Sequence, residues 1–241
     1  MKWLLENPAQ TWSLTLDHLY LSLVPTLAGL VVALGLGLVF GNRPRARAII
    51  TAVASAVFTI PSLALFVVIP SLIGTQVLDP LNVVIALALY SASLLVRTVF
   101  DALDAVAPEV LNAAEALGYS PARRRLFVDL PLALAPLAAG TRVAVVTNVS
   151  LVSVGAVIGV GGLGQLFTSG YQRNYPDQIL AGIIMILILA LVFDRVIAVS
   201  AHLLTPWLRQ RNGSESGARA MRNGSGNGAS AAMQAPGAVG S

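Results

Sequence analysis

An all-α membrane protein with five spanning helices, its N-terminus outside and its C-terminus inside, is the architecture this sequence predicts, and three observations predict it. Charged residues make up only 11 % of a chain that is 56 % hydrophobic, whereas a soluble domain carries about 25 % charged residues. Three runs hold no Asp, Glu, Lys or Arg: Leu19–Gly41, Ala48–Leu78 and Val143–Gln172. Each exceeds the roughly 18 residues that mark a spanning helix. Leu81–Val96 and Gln178–Phe193 reach that length when the helix continues one turn past a boundary charge. Finally, the basic residues alternate. Arg43, Arg45 and Arg47, then Arg123, Arg124 and Arg125, then Arg209, Arg211, Arg219 and Arg222 fall in every second connection, while the other side holds only Lys2 and Arg173. Short basic connections stay in the cytoplasm, and Arg97, Arg142 and Arg195 fall near the cytoplasmic ends of their spans.

The elements follow in order. Residues 1–17 read as a short extracytoplasmic segment whose Trp3 and Trp12 suit the membrane interface. No short apolar core with a small-residue cleavage site precedes the first span, which therefore reads as uncleaved. Span 1 covers about residues 18–41, with Gly35 and Gly37 permitting close helix approach. Span 2, about 48–69, contains FTIPSLALFVVIP, and Pro61 must kink or break it because proline lacks a donor and clashes with the preceding turn. Such a break is tolerated only against protein or a watery cavity, so Pro61 is either a packing feature or part of a translocation path. Spans 3, 4 and 5 cover about 81–100, 134–158 and 178–204. Residues 18–208 form one membrane domain, and 209–241, rich in Gly, Ser, Ala and Asn, read as a disordered cytoplasmic tail. No internal repeat is evident.

The segment NAAEALGYSPARRRLFVDLP, residues 112–131, stands apart. Pro108 suits a first helical position. Val110, Ala113, Ala114 and Leu117 then recur on one helical face. Gly118 is placed to end that helix in the left-handed conformation. Ser120–Pro121 reads as an N-cap and N1 pair that starts a second helix, and Leu130–Pro131 is expected to end it and return the chain to the bilayer. A helix of about nine residues is too short to be stable alone. Its small apolar face suits either a groove on another protein or the bilayer surface.

This loop resembles the Glu-Ala-Ala loop of ATP-binding-cassette importer permeases, with Ala113, Ala114, Gly118, Leu130 and Pro131 in register and Asn112 where the pattern usually has Glu. Glu109 and Glu115 lie one turn to either side. FTIPSLALF at 58–66 and IGVGGLGQLF at 158–167 extend the likeness over about residues 15–205. They are similar to permeases of the glycine betaine, carnitine, choline and proline group. The resemblance implies a type I, methionine-importer-like permease fold in a prokaryotic cytoplasmic membrane. It also implies a coupling loop at 101–131 that seats in a cytoplasmic ATPase dimer. By that carry-over Asn112, Ala113, Ala114, Glu115, Gly118, Arg123, Arg124 and Pro131 form the joint, the small residues permitting close approach and Arg123 to Arg125 meeting acidic groups or lipid headgroups. A second permease subunit, identical or homologous, would complete the path, and an extracytoplasmic binding protein would deliver the solute. ATP and magnesium would be held by the ATPase, and no cofactor by this chain. A methionine-type amino-acid permease is the neighbouring alternative.

Other function classes fit poorly. A phosphate-binding P-loop needs Gly-Lys-Ser/Thr, and the one lysine is Lys2. GVGGLGQ at 159–165 lacks a strand–turn–helix setting and reads as a tight re-entrant turn or subunit contact. With no cysteine and only His18 and His202, at opposite faces of the membrane, no metal site or catalytic constellation assembles. Ion-coupled secondary transporters carry ionisable groups inside the bundle, whereas Asp17, Asp79, Asp101 and Asp177 lie at span ends and Asp194 adjoins Arg195 near the inner boundary. The arginines follow topology and do not form a soluble basic face, which argues against nucleic-acid binding. Within the spans, Asn148, Ser150 and Ser153 on span 4 and Tyr90 on span 3 are candidates for solute contact, with interhelical hydrogen bonding as the competing role. Arg142 either snorkels to the inner interface or pairs across a dimer.

Overall fold

The computed structural model describes residues 2–205; the expected disordered tail at 209–241 lies outside the described residues. Helices α1 (Lys2–Glu6), α2 (Pro8–Phe40), α3 (Pro44–Thr59), α4 (Ser62–Ile73), α5 (Pro80–Asp104), α6 (Pro108–Ala116), α7 (Pro121–Arg124), α8 (Leu130–Gly155), α9 (Gln165–Gln172) and α10 (Pro176–Leu204) follow one another. Six of them begin on proline. A first helical residue has no intrahelical partner for its N–H, so proline costs nothing there while its ring fixes the helical φ. Proline thus sets where the chain turns without weakening the spans.

Four stretches are long and apolar enough to cross a membrane: Pro8–Phe40, Pro80–Asp104, Pro121–Ile158 and Pro176–Leu204. The fifth expected span is different in kind. Helices α3 and α4 meet at an angle of 104°, so the count reaches five only if the bent pair is one span. The cause lies in three residues. Ile60, ahead of a proline, is pushed into an extended conformation (φ −67°, ψ 132°), and α4 starts afresh at Ser62. The first span, α2, is also longer than expected. Its 33 residues span about 50 Å, against a hydrocarbon thickness of about 30 Å, because the polar stretch from Pro8 to Asp17 continues the helix.

Helix α5 is the hub. α2, α3, α4 and α8 all pack on it, and its residues join two of three apolar clusters. One, towards the N-terminal half of α5, is built from Phe66, Val83, Leu87, Tyr90 and Val152. Another, towards its C-terminal half, is built from Leu95, Val96, Val99, Phe100 and Leu137. The third joins α10 to the rest through Val145, Val149, Leu166, Ala181 and Phe193, and also takes in Trp3. Trp3 is therefore core and not an interface residue, and its backbone N–H donates to Asp177 Oδ2 at 3.1 Å. Trp12, 65 % exposed, keeps the interface role open.

Two further expectations are corrected. Leu130–Pro131 does not end a helix. Residues Pro121–Ile158 run on as one span, because Arg125–Asp129 form a π-turn in which the Leu130 N–H reaches the Arg125 carbonyl. The wider turn accommodates a proline ring that a regular α-turn would exclude. Of the two glycines assigned to close packing, Gly37 faces Val99, but Gly35 faces open space. At Gly29 the helix approaches the α5 backbone itself, and an added Cβ would meet Ala92 N at 2.6 Å and the Ala88 carbonyl at 2.9 Å.

Candidate functional site

The 108–131 segment has the local form its residues dictate. Helix α6 spans nine residues from Pro108. It closes with paired bonds, Tyr119 N–H to the Ala114 carbonyl at 3.1 Å and Gly118 N–H to the Glu115 carbonyl at 2.9 Å. This is a Schellman closure, and it requires the left-handed φ of +81° that Gly118 adopts. Ser120 Oγ then accepts from the Arg123 N–H at 3.4 Å, opening α7 on Pro121.

What the helix presents is equally specific. Ala114 is its one buried residue. Asn112, Ala113, Glu115 and Gly118 are exposed, Leu117 is 79 % exposed and Val110 40 %. An apolar edge of small residues, rimmed by Asn112 and Glu115, is therefore left uncovered by this chain. Pro131, at the start of α8, is half-buried behind it.

The arginines are deployed differently from the expectation that all three meet outside partners. Arg124 turns inward, donating to Glu115 Oε1 and lying 3.5 Å from Asp129 Oδ1. Arg125 donates to the Leu38 carbonyl of α2. Only Arg123 lies outward, 5.9 Å from the centre of the Tyr119 ring. Nearby, Arg47 holds Asp104 in a two-pronged pair at 3.0 and 2.5 Å and covers the Phe100 ring at 4.9 Å. Ion pairs thus tie α5 to α3 through Asp104 and α6 to α7 through Glu115. The sequence shows the arginines, but the acidic partner of Arg47 is 57 residues away along the chain, and those of Arg124 are nine residues before it and five after it.

The candidate pathway residues separate. Asn148 is buried, and its amide donates to Thr26 Oγ1 and Ser91 Oγ, both at 2.7 Å. It ties α2, α5 and α8 together, and Thr26 is a member of this network that sequence reading did not single out. Tyr90 is buried as well; its hydroxyl donates to the Ile60 carbonyl and its ring meets Phe58 edge-on at 5.7 Å. The break at Pro61 frees that carbonyl, and the tyrosine satisfies it. Ser153 is half-buried and donates to the Val149 carbonyl at 3.5 Å. Of the set, Ser150 and Pro61 are exposed.

The glycine-rich segment is a packed reversal. The backbone at Gly162 has φ +47°, and a Cβ there would strike the His18 backbone at 2.7 Å, so the turn lies against α2. His18 is buried with Nε2 at 3.0 Å from the Val149 carbonyl. Among the described residues no group of three His, Asp or Glu side chains is placed to hold a metal ion. Arg142 neither snorkels nor awaits a second subunit: Nε and Nη2 grip the two oxygens of Asp194 in the same chain, each at 2.7 Å.

Known proteins place this architecture. The chain is 34 % identical over 207 residues to the osmoprotectant import permease protein OsmW of Salmonella typhimurium, covering 85 % of this chain and 96 % of that one. It is 27 % identical over 206 residues to the glycine betaine/carnitine/choline transport system permease protein OpuCB of Bacillus subtilis, covering 86 % and 94 %. Its fold matches the inward-facing MetNI methionine ABC transporter with a TM-score of 0.68 at 23 % identity, over 85 % of this chain and 98 % of that one. The model of the family described as binding-protein-dependent transport system inner membrane component matches residues 26–210, and the chain belongs to that family of multi-pass membrane permeases.

Proposed function

We propose that this protein is the permease subunit of an ATP-driven importer that brings an osmoprotectant of the betaine, choline or carnitine type into the cytoplasm by alternating access. The observation that carries the reading is α6: a nine-residue helix, begun on Pro108 and closed at Gly118, tied through Glu115 to Arg124 of α7 and uncovered on its small apolar edge. Such a helix gains its stability from a groove on a partner, and the partner in this reading is a cytoplasmic ATPase dimer. Nucleotide binding would draw two such helices together and swing the bundle between inward- and outward-open forms. The break at Pro61 and the turn at Gly118 are the hinge candidates. The arginine distribution supports five spans with the N-terminus outside, the bent α3–α4 pair counting as one. A second permease, identical or homologous, would complete the path, with an extracytoplasmic protein delivering the solute.

The names of the relatives support the substrate class. The test is uptake of labelled glycine betaine at low and high osmolarity, in cells with and without the protein, with methionine, choline, carnitine and proline as competitors. Uptake that depends on the protein and falls with betaine, choline or carnitine is the expected result. Dependence that only methionine suppresses would move the assignment to an amino-acid permease.

A further inference from the structure

Arg142 and Asp194 lie at matching depth in two different spans. Arg142 precedes the end of Pro121–Ile158 by 16 residues, and Asp194 follows the start of α10 by 18. At 1.5 Å per residue these are about 24 and 27 Å from the same side of the bundle, which puts both towards the cytoplasmic boundary of a hydrocarbon layer of about 30 Å. The pair is only half-covered, the side chains being 38 % and 27 % exposed. An ion pair left uncovered there by its own chain stands open to a further contact. The pair opens onto a shallow recess of about 500 Å³ bordered by Ala139, Val143, Val146 and Thr147.

The hydrogen bonding leaves capacity for a ligand. Arg142 uses Nε and Nη2 on Asp194, which engages two of the five N–H groups a guanidinium offers. The whole of Nη1 remains for another carboxylate. Asp194 retains lone pairs on both oxygens. Resting on the importer reading above, we propose that this recess is a subsite for a zwitterionic solute. The solute carboxylate lies on Arg142 Nη1, its quaternary nitrogen faces Asp194, and its methyl groups lie against Ala139, Val143 and Val146. The choice of a zwitterion follows from electrostatics. The pair has no net charge, so a simple cation gains from Asp194 what it loses to Arg142. A zwitterion aligned against the pair gains at both ends.

The test is the initial rate of glycine betaine uptake per permease in the membrane, in cells carrying the complete importer. Arg142→Gln and Asp194→Asn are each expected to lose at least about tenfold. The charge swap, R142D with D194R, restores an ion pair but reverses its direction, and is expected to recover membrane levels without recovering uptake. Val143→Phe leaves the pair intact and fills the recess, and about tenfold loss is expected there too. A rate within twofold of wild type in either single charge variant, in the swap or in Val143→Phe overturns the subsite. A wild-type protein that imports choline alone also overturns it while the importer reading stands. A wild-type protein that imports no osmoprotectant defeats that reading and this subsite together.

Discussion

Helices α5 and α10 are both apolar enough to cross a membrane, yet they live in different surroundings. In its most apolar stretch α5 is 56 % buried within the chain, and α10 is 17 % buried although it is the more hydrophobic of the two. The difference lies in the residues that hydropathy discounts. The buried side of α5 carries Asn82, Ser91 and Tyr90 beside its valines and leucines, and each of the three makes a hydrogen bond to another part of the chain. The buried residues of α10 are few: Gln178, Ala181, Gly182, Leu189 and Phe193. Lipid is as apolar as leucine, so greasiness cannot drive one helix against another there. Close fit and interhelical hydrogen bonds do. In this protein hydropathy marks the face turned outward, and small or hydroxylic residues mark the packed one.

Substitutions can break that contrast, beginning with the largest effect. Gly29→Leu drives a side chain into the α5 backbone at Ala88 and Ala92 and should cost about 3 kcal/mol or more, read as loss of protease-resistant permease in detergent. Asn148→Leu removes both amide bonds from the α2–α5–α8 junction and should lower stability by about 1–2 kcal/mol, seen as a reduced thermal aggregation temperature. Tyr90→Phe strips the Ile60 carbonyl of its donor, at about 1–3 kcal/mol if it stays dry. It should also loosen the α3–α4 angle, measurable as spin-label distances between the two helices. Gly35→Ala, which faces open space, and Leu191→Ala, 60 % exposed on α10, should change stability by less than about 0.5 kcal/mol. A large loss at Gly35 or Leu191 would show that a partner covers those faces.

The coupling segment calls for a different readout. A Cβ at Gly118 meets nothing within 4 Å, but the φ of +81° disfavours every residue with one. Gly118→Val should therefore leave the spans folded and abolish solute-stimulated ATP hydrolysis in the assembled importer. Undiminished coupled hydrolysis would remove the proposed role of the α6 closure.

Much of this was legible in the sequence, where the cause is local. Pro108 announces the start of a helix, Gly118 and Ser120–Pro121 announce a stop and a start, and the uncharged runs announce four spans. What was not legible depends on distant partners or on backbone geometry. Nothing near Arg142 names Asp194, and nothing near Arg124 distinguishes an inward-turned arginine from the outward Arg123. Pro131 reads as a terminator because the π-turn that absorbs it has no composition of its own. Gly29, Gly35 and Gly37 are indistinguishable by type, and only their angular position around α2 decides which of them touches α5.

The most direct test of the central claim uses the absence of cysteine from the natural sequence. Ala113→Cys, on the exposed edge of α6, would be treated with a short thiol-to-amine crosslinker in membranes containing the assembled importer, beside Tyr171→Cys as a control on the opposite side. The account predicts an adduct of Ala113→Cys with the ATPase and none from Tyr171→Cys. An ATPase that co-purifies with the permease yet forms no adduct at position 113, or forms one at position 171, would contradict it.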